Sequence, residues 1–268
     1  MTTLLQVSDP HFGTEQAPVV EALYDLGARE RPDVLVVSGD ITQRARRRQF
    51  RSTQAFVERI AAPRTLAIPG NHDIPLFNVL ARVFAPYAGY QRSFGRDLEP
   101  ELDAPDLLVT CVNTTRARRH KDGEVSTAQV ERVAARLRRA ARSQVRLVVV
   151  HQPVMAARAD DERNLLHGRE GAVRAWVAAG ADVVMGGHIH WPYACPLQLG
   201  FRDLPRDAWI VQAGTAVSSR TRDGVPNSVN VLRCEATPAG RRCRIERWDY
   251  SVEERAFGCI ESHDVQFA

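Results

Sequence analysis

VLVVSGDIT, residues 34–42, is the stretch from which the architecture follows. Its opening run is apolar and largely β-branched, which suits a strand covered on both faces, and it stops at a glycine followed by the carboxylate of Asp40. The same pattern stands on either side of it. LLQVSDPHFG (residues 4–13) is an apolar run ending at Asp9 and His11, and TLAIPGNHD (residues 65–73) ends at Asn71, His72 and Asp73. Between the runs the spacing turns helical. Val19, Leu23 and Leu26 share a face after Pro18, and Phe50, Phe56, Val57 and Ile60 form a stripe over residues 49–61. Strand–helix–strand–helix–strand predicts right-handed crossovers and a parallel sheet. In such sheets functional groups collect beyond the carboxyl ends of the strands, where Asp9, Asp40 and Asn71 all fall.

Two later runs follow the same rule. VRLVVVHQP (residues 145–153) ends at His151, and DVVMGGHIH (residues 182–190) ends at His188 and His190. The spacing predicts helices over 76–84 and 171–179, a strand over 107–112, and a loop over the Gly-, Pro- and aromatic-rich stretch that follows residue 84. Ser126 and Gln129 form a capping box that opens a further helix. Beyond residue 190 the pattern changes to strands without helices, over 209–212, 228–234 and 243–250, which predicts antiparallel pairing in a second sheet.

The seven side chains at these run ends, Asp9, His11, Asp40, Asn71, His151, His188 and His190, comprise two carboxylates, four imidazoles and one carboxamide. That is a ligand set for two metal ions, and two-metal sites hydrolyse phosphoesters. Alternation along an extended chain lets Asp9 share a face with His11, and His188 with His190. Asp40 is the best bridge, because a carboxylate has two oxygens to share. The imidazole-rich shell favours Mn, Fe or Zn over magnesium or calcium, which prefer oxygen alone.

Composition narrows the class further. The 268 residues carry a formal net charge of +4, with 44% hydrophobic and 25% charged residues, as expected of an ordinary globular chain. Lys121 is the sole lysine, and the arginines are spread along the chain, so a nucleic-acid partner is disfavoured. The basic stretches 44–48 and 116–120 read first as solvated segments. Five dispersed cysteines without a CxxC pair read as reduced thiols in a cytoplasmic protein, with Cys234 and Cys243 able to face each other across a hairpin. The start, MTTLLQVSDP, reads as a first strand rather than a signal peptide, and no apolar run is long enough to span a membrane.

The ordered blocks SDPHFG, VLVVSGDIT, LAIPGNHD, VVVHQP and VVMGGHIH resemble the calcineurin-like metallophosphoesterase family, over residues 4 to about 190. Within it the chain looks most like the bacterial class III cyclic nucleotide phosphodiesterase branch. The resemblance implies one domain over 1–268 and an α/β four-layer αββα sandwich, two mixed β-sheets flanked by helices, with the C-terminal part as the second sheet. It implies one metal on Asp9, His11, Asp40 and His190, and another on Asp40, Asn71, His151 and His188. It places His72 over the site as a catalytic group reaching the phosphate and leaving oxygen, with Asp73 orienting it. For Asp73 the residues leave open a cap on the helix expected near Leu76. The implied activity is metal-dependent phosphodiester hydrolysis by a hydroxide held between the metals, on a small-molecule diester or nucleotide such as a 3′,5′-cyclic nucleotide. A DNA-repair-type nuclease, a phosphomonoesterase and a non-catalytic interaction scaffold stand as alternatives.

Overall fold

The structure is a computed structural model describing residues 1–237 and 240–267. In chain order the elements are β1 (Thr2–Val7), α1 (Ala17–Glu30), β2 (Val34–Ser38), α2 (Arg47–Ile60), β3 (Arg64–Ile68), α3 (Val79–Phe84), α4 (Ala88–Phe94), β4 (Glu101–Ala104), β5 (Leu107–Cys111) and α5 (Thr127–Arg138). They continue with β6 (Val145–Val149), α6 (Arg169–Ala178), β7 (Val183–Gly186), β8 (Tyr193–Pro196), β9 (Trp209–Gln212), β10 (Ser228–Thr237), β11 (Gly240–Ser251) and β12 (Ala256–Phe267). Two six-stranded sheets result, in the orders β12-β11-β10-β1-β2-β3 and β4-β5-β6-β7-β9-β8. The strands β1, β2 and β3 are parallel, as are β5, β6, β7 and β9.

Side-chain alternation builds four layers from these sheets. Leu4, Val34, Val36 and Ile68 point one way and meet Val109, Leu147, Val149 and Val183 of the second sheet. Their neighbours Leu5, Val7, Leu35 and Val37 point the other way, onto Val19, Leu23 and Leu26 of α1 and Phe50 and Phe56 of α2. On the far side Leu108, Val148, Val184 and Ile210 pack against Val133 and Leu137 of α5 and Val173 and Trp176 of α6. Helices, sheet, sheet, helices is the αββα sandwich expected.

The C-terminal strands occupy a different place from the one expected. Of them only Trp209–Gln212 joins the second sheet, where it is antiparallel to β8. β10 pairs antiparallel with β1, Leu4 opposite Leu232, and β11 and β12 extend the same sheet outward. Trp209–Gln212, grouped with them in the sequence reading, is a parallel strand beside β7. Periodicity reports that a segment is a strand and carries no information about its neighbour. β1, paired with β2 on one side, leaves an edge open for β10.

Residues 74–105 also differ. The helix expected over 76–84 begins only at Val79, because Asn78 Oδ1 accepts the Ala81 N–H at 2.9 Å and caps it there, and none of its residues is buried. The expected loop contains α4, whose Tyr90 is fully buried and donates its hydroxyl to the Ala67 carbonyl at 2.5 Å. Ser126 and Gln129 make the expected capping box on α5. Cys234 and Cys243 face each other across β10 and β11 as thiols, Sγ to Sγ 3.5 Å. Among the described residues no helix is long and apolar enough to cross a membrane.

Candidate metal centre

Five strands deliver the seven donors. β1, β2 and β3 of the first sheet end just before Asp9 and His11, Asp40, and Asn71, while β6 and β7 of the second end just before His151 and the His188–His190 pair. The sandwich sets both rims side by side, so residues far apart in sequence converge. Extended-chain alternation does not place them, contrary to expectation. Asp9, His11, Asp40, His188 and His190 have φ of 50°, 42°, 45°, 73° and 55°, so each turns in a left-handed conformation past its strand. They are five of the ten non-glycine residues with positive φ among the described residues, so strained backbone is concentrated at this rim. Two glycines permit the crowding. Gly39, at φ +98°, lies where a Cβ would strike the His151 ring, and a Cβ on Gly70 would strike the backbone of Asp40.

The donors fall into two groups that share Asp40. In one, His11 Nε2 lies 3.9 Å from Asp9 Oδ1 and 3.8 Å from Asp40 Oδ2, and His190 Nε2 lies 3.4 Å from Asp9 Oδ1. In the other, His151 Nε2 lies 3.4 Å from Asp40 Oδ1, and Asp40, His151 and His188 bring their donor atoms within 4.8 Å of one another. The two oxygens of Asp40 therefore face different groups. Asn71 sits between Gly70, packed on Asp40, and His72, whose N–H donates to Asp40 Oδ1 at 2.8 Å.

Hydrogen bonds around the rim aim the donors inward. His151 Nδ1 donates to the Ser38 carbonyl at 2.9 Å and His190 Nδ1 to the Arg220 carbonyl at 2.7 Å, so each ring turns Nε2 to the site. Asp9 Oδ2 accepts from Ser8 Oγ at 2.6 Å and the His188 N–H at 2.9 Å, which leaves Oδ1 free. Thr215 Oγ1 donates to the Asp9 carbonyl at 2.6 Å. Ser8, Thr215 and Arg220 were not singled out in the sequence. Ser8 had only its place beside Asp9 as a signal, and Arg220 acts through a backbone carbonyl that no side-chain motif encodes.

Two observations show that this donor set fits cations. Asp9 Oδ1, Asn71 Oδ1, His151 Nε2 and His188 Nδ1 are buried without a hydrogen-bond partner, four of eleven such atoms among the described residues. Further, His11 Nε2 and His190 Nε2 stand 3.0 Å apart. Two nitrogens each about 2.1 Å from a common ion at a near-right angle have that span. Electrostatics agree. Burial pushes Asp9 up, but His190 and then His151 outweigh it and bring it to about 2. Burial likewise opposes the charge on Asp40, yet His151, His72 and His11 hold it well below the usual carboxylate range. Burial lowers His11 to about 3, against the pull of Asp40 and Asp9, and burial with the charge of His151 lowers His188 to about 3. His151 goes the other way. Burial is outweighed by Asp40, then Asp9 and the Ser38 carbonyl, and it rises to about 9; His190 is raised against burial by Asp9 and the Arg220 carbonyl. Without metal, protons on His151 and His190 thus balance Asp9 and Asp40, and cations are their natural replacement.

A ring nitrogen of His72 lies within 4.8 Å of donor atoms of His11 and Asp40, so it borders the first group. Its orienting partner is the Gln43 carbonyl, 2.9 Å from Nδ1, not Asp73. Asp73 neither orients His72 nor caps α3, which Asn78 caps. Its two oxygens accept from the Ile41, Thr42 and Gly70 N–H groups and the Thr42 hydroxyl, at 2.8–3.0 Å, and so clamp the loop after β2 to the loop after β3. Burial, then the charge of Asp40, raises it to about 6, and those four donors still favour the carboxylate. The basic stretches resolve unequally. Arg118 and Arg119 pair with Glu124 at 2.7 Å, and Arg116 is spent on the Asn113 and Thr115 carbonyls and Gln129.

Comparison with known proteins places this geometry. The family model described as calcineurin-like phosphoesterase matches residues 2–192. A dimetal phosphatase from Danio rerio has the same fold at a TM-score of 0.69, with 14% identity over 100% of this chain and 99% of that one. Purple acid phosphatase PPD1 from yellow lupin gives 0.72 at 12% identity, over 99% of this chain and 53% of that one. Wild-type Vps29 from Entamoeba histolytica, complexed with zinc, gives 0.52 at 12% identity over 98% and 99%. No curated protein sequence matches the chain significantly.

Proposed function

The chain belongs to the calcineurin-like phosphoesterase family, and from that membership we propose that it is a two-metal phosphodiesterase acting on a small-molecule diester or nucleotide. The observation that carries the reading is the sharing of Asp40, whose Oδ2 faces His11 and whose Oδ1 faces His151. Asp9, His11, Asp40 and His190 would hold one ion, and Asp40, Asn71, His151 and His188 the other. Mn, Fe and Zn all suit this mixed nitrogen and oxygen shell. Such a pair, when bound, lowers the pKa of a coordinated water and neutralises phosphoryl charge.

The remaining work falls to the chain itself. Asn71 contributes a neutral oxygen, so the site gains a donor without a charge that would repel phosphate. With Nδ1–H committed to the Gln43 carbonyl, His72 turns Nε2 toward the site, and in the doubly protonated form of the ring that nitrogen donates to a phosphoryl or departing oxygen. Asp73 fixes the relative position of Asp40 and Asn71 through its four hydrogen bonds, and so acts as a positioning residue. Preference for a diester, and for cyclic nucleotides among diesters, rests on the resemblance of the five sequence blocks to the class III branch.

The test compares bis(p-nitrophenyl) phosphate with p-nitrophenyl phosphate, then 3′,5′-cyclic nucleotides with single-stranded DNA, each with Mn, Fe or Zn. The expected result is diester hydrolysis abolished by chelation, restored by metal and absent in Asp40→Ala. A faster monoester reaction transfers the assignment to a phosphomonoesterase. Hydrolysis undiminished in Asp40→Ala excludes the two-metal mechanism, and a protein that binds no metal and cleaves nothing is the interaction scaffold.

A further inference from the structure

A cavity of about 230 Å³ opens directly beside Asn71 and His72, and its wall carries Arg44, Arg82, His120 and Lys121. No carboxylate lines it. A second carboxylate-free cavity, lined by Arg47, Arg51 and Arg92, contains none of the donors, whereas this one borders them. Arg118 and Arg119 of the same loop are both tied to Glu124, whereas Arg44, Arg82 and Lys121 make no ion pair among the described residues. Arg82 is anchored instead by two carbonyls, donating to Pro75 O at 3.2 Å and Arg119 O at 2.9 Å, so α3 and the 116–121 loop are held together while its charge stays available. Arg44 stacks over the Phe77 ring at 5.4 Å, and Lys121 Nζ reaches only the neutral Asn164, at 3.5 Å. Ile74 and Leu76 supply an apolar portion of the wall.

Converging guanidinium and ammonium groups without a carboxylate form an anion site, and Arg recognises carboxylate and phosphate through its planar fork. We propose that this cavity is a subsite for a second anionic group, a carboxylate or phosphate carried on one arm of the substrate beyond the phosphorus that is attacked. The inference rests on the phosphodiesterase reading and deepens it, since it names the charge pattern of the preferred diester. It also sorts the basic stretches, because Arg44 and the pair His120 and Lys121 serve the subsite while Arg116, Arg118 and Arg119 serve the loop.

Two matched substrate pairs test it. The dinucleotides ApA and pApA differ by a terminal phosphate, and glycerophosphoethanolamine and glycerophosphoserine differ by a carboxylate. The metal-loaded protein is expected to favour at least one anionic member by about ten- to a hundredfold in kcat/KM, mostly through KM, the range of one or two charge-assisted hydrogen bonds. Arg44→Gln/Lys121→Gln should bring that ratio close to one, while the charge-matched control Arg138→Gln/Arg202→Gln keeps it. Preference in the first pair assigns a phosphate, in the second a carboxylate. If bis(p-nitrophenyl) phosphate is cleaved but neither pair is discriminated, or if both double variants lose the preference equally, the subsite is refuted and the hydrolase stands. If no diester is cleaved, calorimetric titration of tripolyphosphate into the metal-stripped protein decides the subsite by itself. Binding that is weakened tenfold or more in Arg44→Gln/Lys121→Gln supports it, and absent or unchanged binding overturns it.

Discussion

Asp9, His11 and His151 are completely buried and Asp40 is 2% exposed, whereas a short way along the chain Phe77, Leu80 and Phe84 are 80%, 71% and 80% exposed. These two regions, the rim of strand ends and the mouth formed by residues 74–122, border the same cavity and are built differently. At the rim every donor follows a strand packed on both faces, and backbone carbonyls or N–H groups orient Asp9, Asp40, His151 and His190. At the mouth α3 buries no side chain and is held chiefly by Arg82 and its Asn78 cap. A rigid rim suits metal chemistry, which fails when ligands drift, and a lightly held mouth can vary in sequence without disturbing that rim.

The sharpest way to break this contrast is at Asp40. Asp40→Ala removes a donor from both groups at once, so metal content measured by elemental analysis should fall for both ions and hydrolysis should drop to background, with circular dichroism unchanged. Retention of both metals would falsify the shared-carboxylate arrangement. Asp73→Ala should be the most destabilising change at the rim without touching a donor. It leaves the buried N–H groups of Ile41, Thr42 and Gly70 without their acceptor, at about 1–3 kcal/mol each before relaxation, and chemical denaturation should register several kcal/mol together with lower activity. An effect below about 0.5 kcal/mol would mean that the two loops are fixed by something else.

A metal at a hundred times its Kd should stabilise the protein by about 2.7 kcal/mol, read as a rise in Tm. His151, raised to about 9 from an ordinary 6.5, stabilises the metal-free fold fully below pH 6.5 and loses that contribution as pH climbs through 9. The metal-free Tm should therefore decline across that window, and the increment on adding metal should grow, because the ion takes the place of the proton. An increment that shrinks between pH 6.5 and 9 contradicts the site's proton balance. The smallest effect is expected at the mouth. Phe84→Ser replaces an exposed side chain and should change stability by no more than about 0.5 kcal/mol in denaturant, with bis(p-nitrophenyl) phosphate turnover retained. A loss of several kcal/mol would show that α3 is as integral as the rim.

How much of this was legible in the chain depends on the reach of each interaction. The strands that end at Asp9, Asp40, Asn71, His151 and His188 announce themselves through local apolar runs closed by glycine or a polar donor, so the donor set and the family resemblance could be read directly. α4 was hidden because a Gly- and Pro-rich stretch looks like loop until Tyr90 is seen buried against Ala67. The role of Asp73 is not legible from the motif that carries the resemblance, because its partners Ile41 and Thr42 lie 32 and 31 residues back.

Periodicity and side-chain type are local properties, so the order of residues alone tells which side chains stand at strand ends and what chemistry they offer. Long-range packing settles that β10 to β12 close the open edge of β1, that the rims of two sheets meet, and which arginines are left without a carboxylate. Those outcomes depend on contacts such as the His188 N–H on Asp9, 179 residues apart, and no local pattern encodes a partner at that distance.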